Sequence, residues 1–171
     1  SYRIIQILRK MFNTKKVGHT GTLDPMATGV LPVLLGRAVK AADFLLSEDK
    51  EYEATLRLGI TTDTEDTTGE ILSSSDNIPD ESAAIAAVHS FVGDYDQVPP
   101  MYSALKVGGR KLVDIAREGG SVEREARRVR IHRIECEKIS RTDYFLRVAC
   151  SKGTYIRTLC ADIGSSLGCG G

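Results

Sequence analysis

The sequence has no surplus of charge of either sign, since 23 Lys+Arg balance 23 Asp+Glu over 171 residues. That balance excludes a general nucleic-acid coat protein, though not a local basic surface. None of the four cysteines, Cys136, Cys150, Cys160 and Cys169, forms a C-x-x-C pair, and no regularly spaced histidines stand beside them. A zinc site is therefore not expected. The cysteines read as buried or incidental thiols of a reducing, cytoplasmic compartment rather than a disulfide framework. There is no apolar run long enough to span a membrane and no n-region and h-region of a signal peptide. Internal repeats and low-complexity tracts are absent as well. The chain opens without methionine, at "SYRIIQ", and closes at "LGCGG". A single monomeric domain over 1–171, cut at both ends, is the expectation.

What is present is ordinary globular composition, 42% hydrophobic and 27% charged, at a length that suits one domain with a real core. Ile4, Ile5, Ile7, Leu8, Met11 and Phe12 recur at helical spacing with Arg3, Arg9 and Lys10 off the stripe, which predicts an amphipathic helix with a basic outer face. "KEYEATLRLGI" alternates, placing Tyr52, Ala54, Leu56 and Leu58 on one face of a half-buried strand. A helix is predicted from an N-cap at about Asp80 to Gly93. "RVRIHRIECEKI" and "YFLRVACSKG" alternate again and read as paired antiparallel strands turning near "RTD". A last helix is predicted through "TYIRTLCADIGSSLG". Strands with inserted helices and no regular βαβ rhythm give an α+β class, a mostly antiparallel mixed sheet with flanking helices.

The positive charge is gathered in one place. From Lys106 to Arg133, nine basic residues, among them Lys106, Arg127 and Arg128, face four acidic ones and leave the segment at +5. With Pro99-Pro100, Gly108-Gly109 and Gly119-Gly120 breaking any core pattern, 98–130 reads either as a flexible solvated excursion or as a mobile arm that grips phosphates.

"VGHTGTLDPMATGVLPVLLGRA" surrounds one aspartate, Asp24, with glycines, threonines and prolines. Asp24 followed by Pro25 has the form of a helix start, aspartate at the N-cap and proline at the first helical position. The alternative is a loop built to hold a reactive carboxylate, because His19, Thr20, Gly21, Thr28 and Gly29 exceed what one cap needs. An arginine such as Arg157, which follows a strand end and a glycine turn, would keep a nearby carboxylate ionised. Tyr52 and Tyr155 are either half-buried core residues or rings on which a base stacks, at about 1–3 kcal/mol per base. Spacing alone does not bring these segments together.

In order along the chain, "GHTGTLDPMATGVLPVLLGRA", "KEYEATLRLG", "TTDTEDTTGE", "QVPPMYSALKVGGRKL" and "VACSKGTYIRTLCADIG" resemble the successive motifs of bacterial TruB-type pseudouridine synthases. The resemblance covers nearly the whole chain. It implies the pseudouridine synthase catalytic fold and isomerisation of a uridine in the tRNA TΨC loop, with tRNA as partner and neither metal nor cofactor. It implies that Asp24 is the catalytic aspartate and that His19 fills the space a flipped base leaves. Tyr52 would stack on the target base and relay a proton. Tyr155 would belong to the uridine pocket, Arg157 would pair with the catalytic carboxylate, and Asp63 would join the polar network around that arginine. Three departures stand out. Only Ser1 remains of a family Lys-Pro-x-Gly-x-Thr-Ser opening, Val113 occupies a commonly aromatic position, and the chain stops before the family's C-terminal RNA-binding extension. The rival functions are a non-catalytic RNA-folding module of the same fold and a small-molecule hydrolase with an aspartyl nucleophile, which leaves the +5 segment unexplained.

Overall fold

Alternation sets the larger part of the molecule. In the computed structural model, which describes residues 2–46 and 49–171, Leu56, Ile131, Ile134, Tyr144, Leu146 and Val148 all point to one face of a sheet and are buried. The sheet has four strands, β3 (Lys50–Arg57), β6 (Gly93–Gln97), β9 (Arg127–Lys138) and β10 (Asp143–Cys150), in the order β3-β10-β9-β6. Every neighbouring pair is antiparallel. The register faces Tyr52 with Val148 and Leu56 with Tyr144. A bulge between Ala149 and Cys150 moves the β9 partner from Arg133 to Ile131, the local twist expected where a strand gains an unpaired residue.

Two helices cover the apolar face. Helix α3 (Glu81–Ser90) begins where Asp80 accepts a hydrogen bond from Ala83 N–H at 2.8 Å, as its sequence signal predicts, and buries Ala84 and Val88. Helix α5 (Ile156–Ser166) buries Leu159 and Ile163 in the same core. The α+β class is the observed one. The small hairpin β4 (Ile60–Thr62) with β5 (Ile71–Ser74) completes this frame.

Where one domain is expected over 1–171, the chain divides into two compact units, residues 1–48 and 49–171. The first holds α1 (Tyr2–Met11), the paired strands β1 (Val17–His19) and β2 (Val33–Leu35), a 3-10 turn over Gly36–Ala41, and α2 (Ala42–Leu46). The predicted helix over the first residues forms, but of its apolar stripe only Ile5 is buried, while Ile4, Ile7 and Met11 stay exposed. A ribbon of two three-residue strands offers too little surface within this unit to cover them.

The segment 98–130 differs most from its expectation. Pro99, Pro100, Ser103 and Leu112 are buried and anchor its first part. The hairpin β7 (Lys106–Val107) with β8 (Arg110–Lys111) follows, then α4 (Leu112–Arg117). Gly108 and Gly109 sit at φ 58° and 85°, the left-handed pair that a two-residue hairpin turn demands. Arg127, Arg128 and Arg130 do not belong to an arm. They start strand β9, opposite Gln97, Asp96 and Asp94 of β6, because alternation with buried Val129 and Ile131 sets them on the outer face of the sheet.

Candidate active site

In the first unit, Asp24 lies in a long loop held shut at its base. Strands β1 and β2 pair His19 with Val33, and Thr20 N–H donates to the Pro32 carbonyl at 3.2 Å. No helix follows Asp24. Ala27 N–H instead donates to the Asp24 carbonyl at 3.0 Å, closing a β-turn with Pro25 at its second position. The helix-start expectation fails because propagation fails. Thr28, Gly29 at φ 149° and Val30 follow, then Pro32, so one turn has nothing to extend into. Asp24 is left half-buried on a loop, with its backbone fixed by the turn. His19 ends β1, and its Nδ1 is buried without a hydrogen-bond partner among the described residues.

In the second unit the centre is Arg157, in the first turn of α5. A cation there opposes the positive end of the helix dipole, so its place is set by side-chain bonding. One terminal nitrogen donates to the Thr64 carbonyl at 2.7 Å and the other to the Tyr102 carbonyl at 3.0 Å. A carboxylate facing it is that of Asp66, at 3.8 Å, with both side chains only 13% exposed. Burial alone would raise the Asp66 carboxyl. Hydrogen bonds from Thr68 and Thr64 and the charge of Arg157 outweigh burial and hold it below the usual carboxylate range. Thr64 Oγ1 donates to Asp66 Oδ1 at 2.8 Å and Thr68 N–H does so at 2.9 Å.

Asp63, the aspartate the resemblance assigns to this network, stands one residue further out. It accepts from Glu70 N–H at 2.8 Å and from the Tyr102 hydroxyl at 3.1 Å, and Tyr102 in turn links it to Arg157. Gly69 makes the turn possible, since a Cβ there would lie 2.3 Å from Asp63 Oδ1. Glu65, at φ 59° in a region L-residues seldom enter, turns its carboxylate onto the Thr158 hydroxyl and ties the loop to α5. Asp66, Thr64 and Tyr102 went unselected in the sequence. The pointer to Asp66 was a second aspartate in "TTDTED", and the pointer to Tyr102 was a tyrosine in an otherwise basic stretch.

Tyr52 sits at the open end of the β3 core face and is 37% exposed, whereas Leu56 on the same face is 1% exposed. Tyr155 is half-buried at the N-cap of α5, with φ −98° and ψ 110°. Lys106 is exposed on the β7–β8 hairpin. Arg128 pairs with Asp96 at 3.2 Å, while Arg127 forms no ion pair among the described residues. Among the described residues no group of three His, Cys, Asp or Glu is placed to hold a metal ion.

The family model described as the TruB family pseudouridylate synthase N-terminal domain matches residues 9–156. The chain is 54% identical over 173 residues to the tRNA pseudouridine synthase B of Francisella tularensis subsp. tularensis, and 52% identical over 171 residues to that of Alkaliphilus oremlandii. All of this chain is covered in both comparisons, but it spans 57% of each relative's length. Among solved structures, a Cbf5-Nop10-Gar1 complex matches at a TM-score of 0.72 and 31% identity, over 99% of this chain and 41% of that one. An H/ACA RNP bound to a substrate RNA containing 2'-deoxyuridine matches at 0.69 and 28% identity, over 99% and 39%.

Proposed function

Because the chain belongs to the TruB family of pseudouridylate synthases, we propose that it isomerises a uridine of the tRNA TΨC loop to pseudouridine. The observation that carries this reading is the identity, above one half, to enzymes named tRNA pseudouridine synthase B. The target base is unreachable while stacked, so it leaves the RNA stack at a cost of a few kcal/mol, and His19 occupies the space it vacates. Asp24 acts as a carboxylate on the nucleoside. The N1–C1′ bond breaks, the uracil turns, C5 joins C1′, and the C5 proton is lost while N1 gains one, so the atoms balance. Tyr52 stacks on the ring and relays that proton, and Tyr155 lines the uridine pocket. Arg157 supplies positive charge in a low-dielectric setting. Lys106 and Arg127 meet phosphates, with a smaller part for Arg128. The protein acts as a cytoplasmic monomer and needs neither metal nor cofactor.

The test is incubation of the full-length protein with an unmodified tRNA transcript, reading pseudouridine at the TΨC uridine. Product in the presence of EDTA at the untreated rate is the expected result. Tight tRNA binding with no product leaves the non-catalytic RNA-folding module instead.

A further inference from the structure

Gln97 ends strand β6 with 1% of its surface exposed. An amide that deep needs partners for every polar atom, since a buried polar group without one is penalised by its lost hydration. The backbone that takes two of its bonds lies 58 residues away. Gln97 Oε1 accepts from the Tyr155 backbone N–H at 2.8 Å, and Nε2 donates to the Tyr155 carbonyl at 3.0 Å. The second Nε2 hydrogen points to the Tyr95 hydroxyl. Reversing the amide would set donor against donor and carbonyl against carbonyl, so the backbone of Tyr155 fixes its orientation. The side chain thus reproduces, outside any strand, the two-bond exchange of an antiparallel pair.

The grip falls on a sensitive place. Tyr155 is the N-cap of α5, and its own side chain makes no capping hydrogen bond. Its carbonyl also accepts from Leu159 N–H at 3.0 Å, so the same peptide starts the helix. Two residues on, Arg157 lies between the Thr64 and Tyr102 carbonyls. The clamp is braced on its far side, because the Tyr95 ring stands edge-on to Phe91, 5.4 Å between centroids at 89°. Register with β9, Gln97 opposite Arg127, fixes the strand that carries it.

We infer that Gln97 is a positioning residue, its side-chain amide clamping the Tyr155 backbone and thereby setting the Tyr155 ring and the Arg157 guanidinium for the chemistry. This rests on the uridine isomerase reading for what the positioning serves. Displacing a reacting group by about 1 Å costs on the order of 10²-fold in rate. Gln97→Met keeps the bulk and removes the hydrogen bonds. The expectation is a single-turnover rate lower by about 10²-fold, stem-loop affinity within about threefold of wild type, and faster hydrogen exchange at the Tyr155 amide. Gln97→Glu gives a sign that a filler role would not. Its charged carboxylate sets an oxygen against the Tyr155 carbonyl, whereas its protonated form restores an O–H donor. Burial raises such a carboxyl, so the rate of this variant, relative to wild type at each pH, climbs as pH falls from about 8 to about 5.5. Tyr95, bonded to the amide, stays neutral throughout, its hydroxyl pushed well above the usual range by burial. Asp162 on α5, whose charge also acts on that hydroxyl, is pushed up to about 6 and titrates in the same window in wild type and variant alike, which is why the rate is read relative to wild type at each pH. A wild-type rate in Gln97→Met overturns the inference, as does a Gln97→Glu protein that fails to recover, folded or not. A wild-type protein that makes no pseudouridine removes the isomerase reading instead, and the clamp then stands or falls on Tyr155 amide exchange.

Discussion

Arg157 illustrates how a side chain is committed by its surroundings. Its two carbonyl acceptors and the Asp66 carboxylate are supplied by loops, while the helix that carries it disfavours a cation at that end. Removing the charge of Asp66 should therefore be felt. Asp66→Asn deprives Thr64 and Thr68 of an anionic acceptor and Arg157 of a facing charge, and charge-assisted bonds are worth about 1.5–3 kcal/mol each. We expect a loss of about 1–3 kcal/mol at neutral pH in urea unfolding. The sign with pH follows from the lowered Asp66 carboxyl. Its contribution is present above the ordinary carboxylate pKa and fades as pH falls through the folded value, so the variant loses the steepest part of the acid limb below about pH 4. For the chemistry, Asp24→Asn should abolish pseudouridine formation in a TΨC stem-loop with binding largely intact. Near wild-type conversion by that variant would remove Asp24 as the acting carboxylate. Asp24 carries that expectation on a turn-fixed loop, where it begins no helix.

Elements with a long, clean period were legible in the chain, and short ones were not. Strand β10 alternates buried and half-buried positions without a break, and α3 announces its start through Asp80. Strand β9 was legible from Arg128 onward in "RVRIHRIECEKI", although its first arginines also fall in the basic segment. The β7–β8 hairpin and the six-residue α4 hid, since two paired residues per strand show no period at all. Asp24-Pro25 was ambiguous because one dipeptide suits both a helix start and a β-turn, and only the residues after it decide. Likewise "TTDTED" offers two aspartates, and choosing between Asp63 and Asp66 depends on how a loop with Glu65 at positive φ folds back. Two predictions belong here. Asp80→Ala should cost about 1 kcal/mol through the lost cap, read as a lower urea midpoint with an unchanged slope. Arg127→Gln should lower the salt slope of RNA binding by about 1, and Arg128→Gln by less, because Asp96 already neutralises part of Arg128. Slopes unchanged from wild type in both variants would return this strand end to a solvated face.

At the scale of the whole molecule, zero net charge conceals opposed titrations. Asp66 is lowered, and so is Asp143, which Arg57 grips through two hydrogen bonds at 2.7 and 3.0 Å. Asp162, half-buried on α5, is pushed up to about 6, first by burial and then by the like charge of Glu65. The two classes act on folding with opposite sign. Between the ordinary carboxylate value and about 6, the native state binds more protons at Asp162 than the unfolded chain does, so lowering pH through that window stabilises the fold. Below it, Asp66 and Asp143 must take up protons on unfolding, and stability falls. The net profile should therefore rise gently from neutral pH toward pH 5 before the acid limb sets in. Asp162→Asn removes the like-charge and burial penalty without adding a new one, so it should raise stability at pH 7 and erase the gentle rise while leaving the acid limb in place. Solvent screening of a half-exposed carboxyl keeps the gain below about 1 kcal/mol. Urea midpoints of wild type and variant, followed by near-ultraviolet circular dichroism at a series of pH values, decide the matter. The curves should differ at pH 7 and converge by about pH 4, and a constant offset across the series would show that Asp162 contributes through packing rather than through its proton.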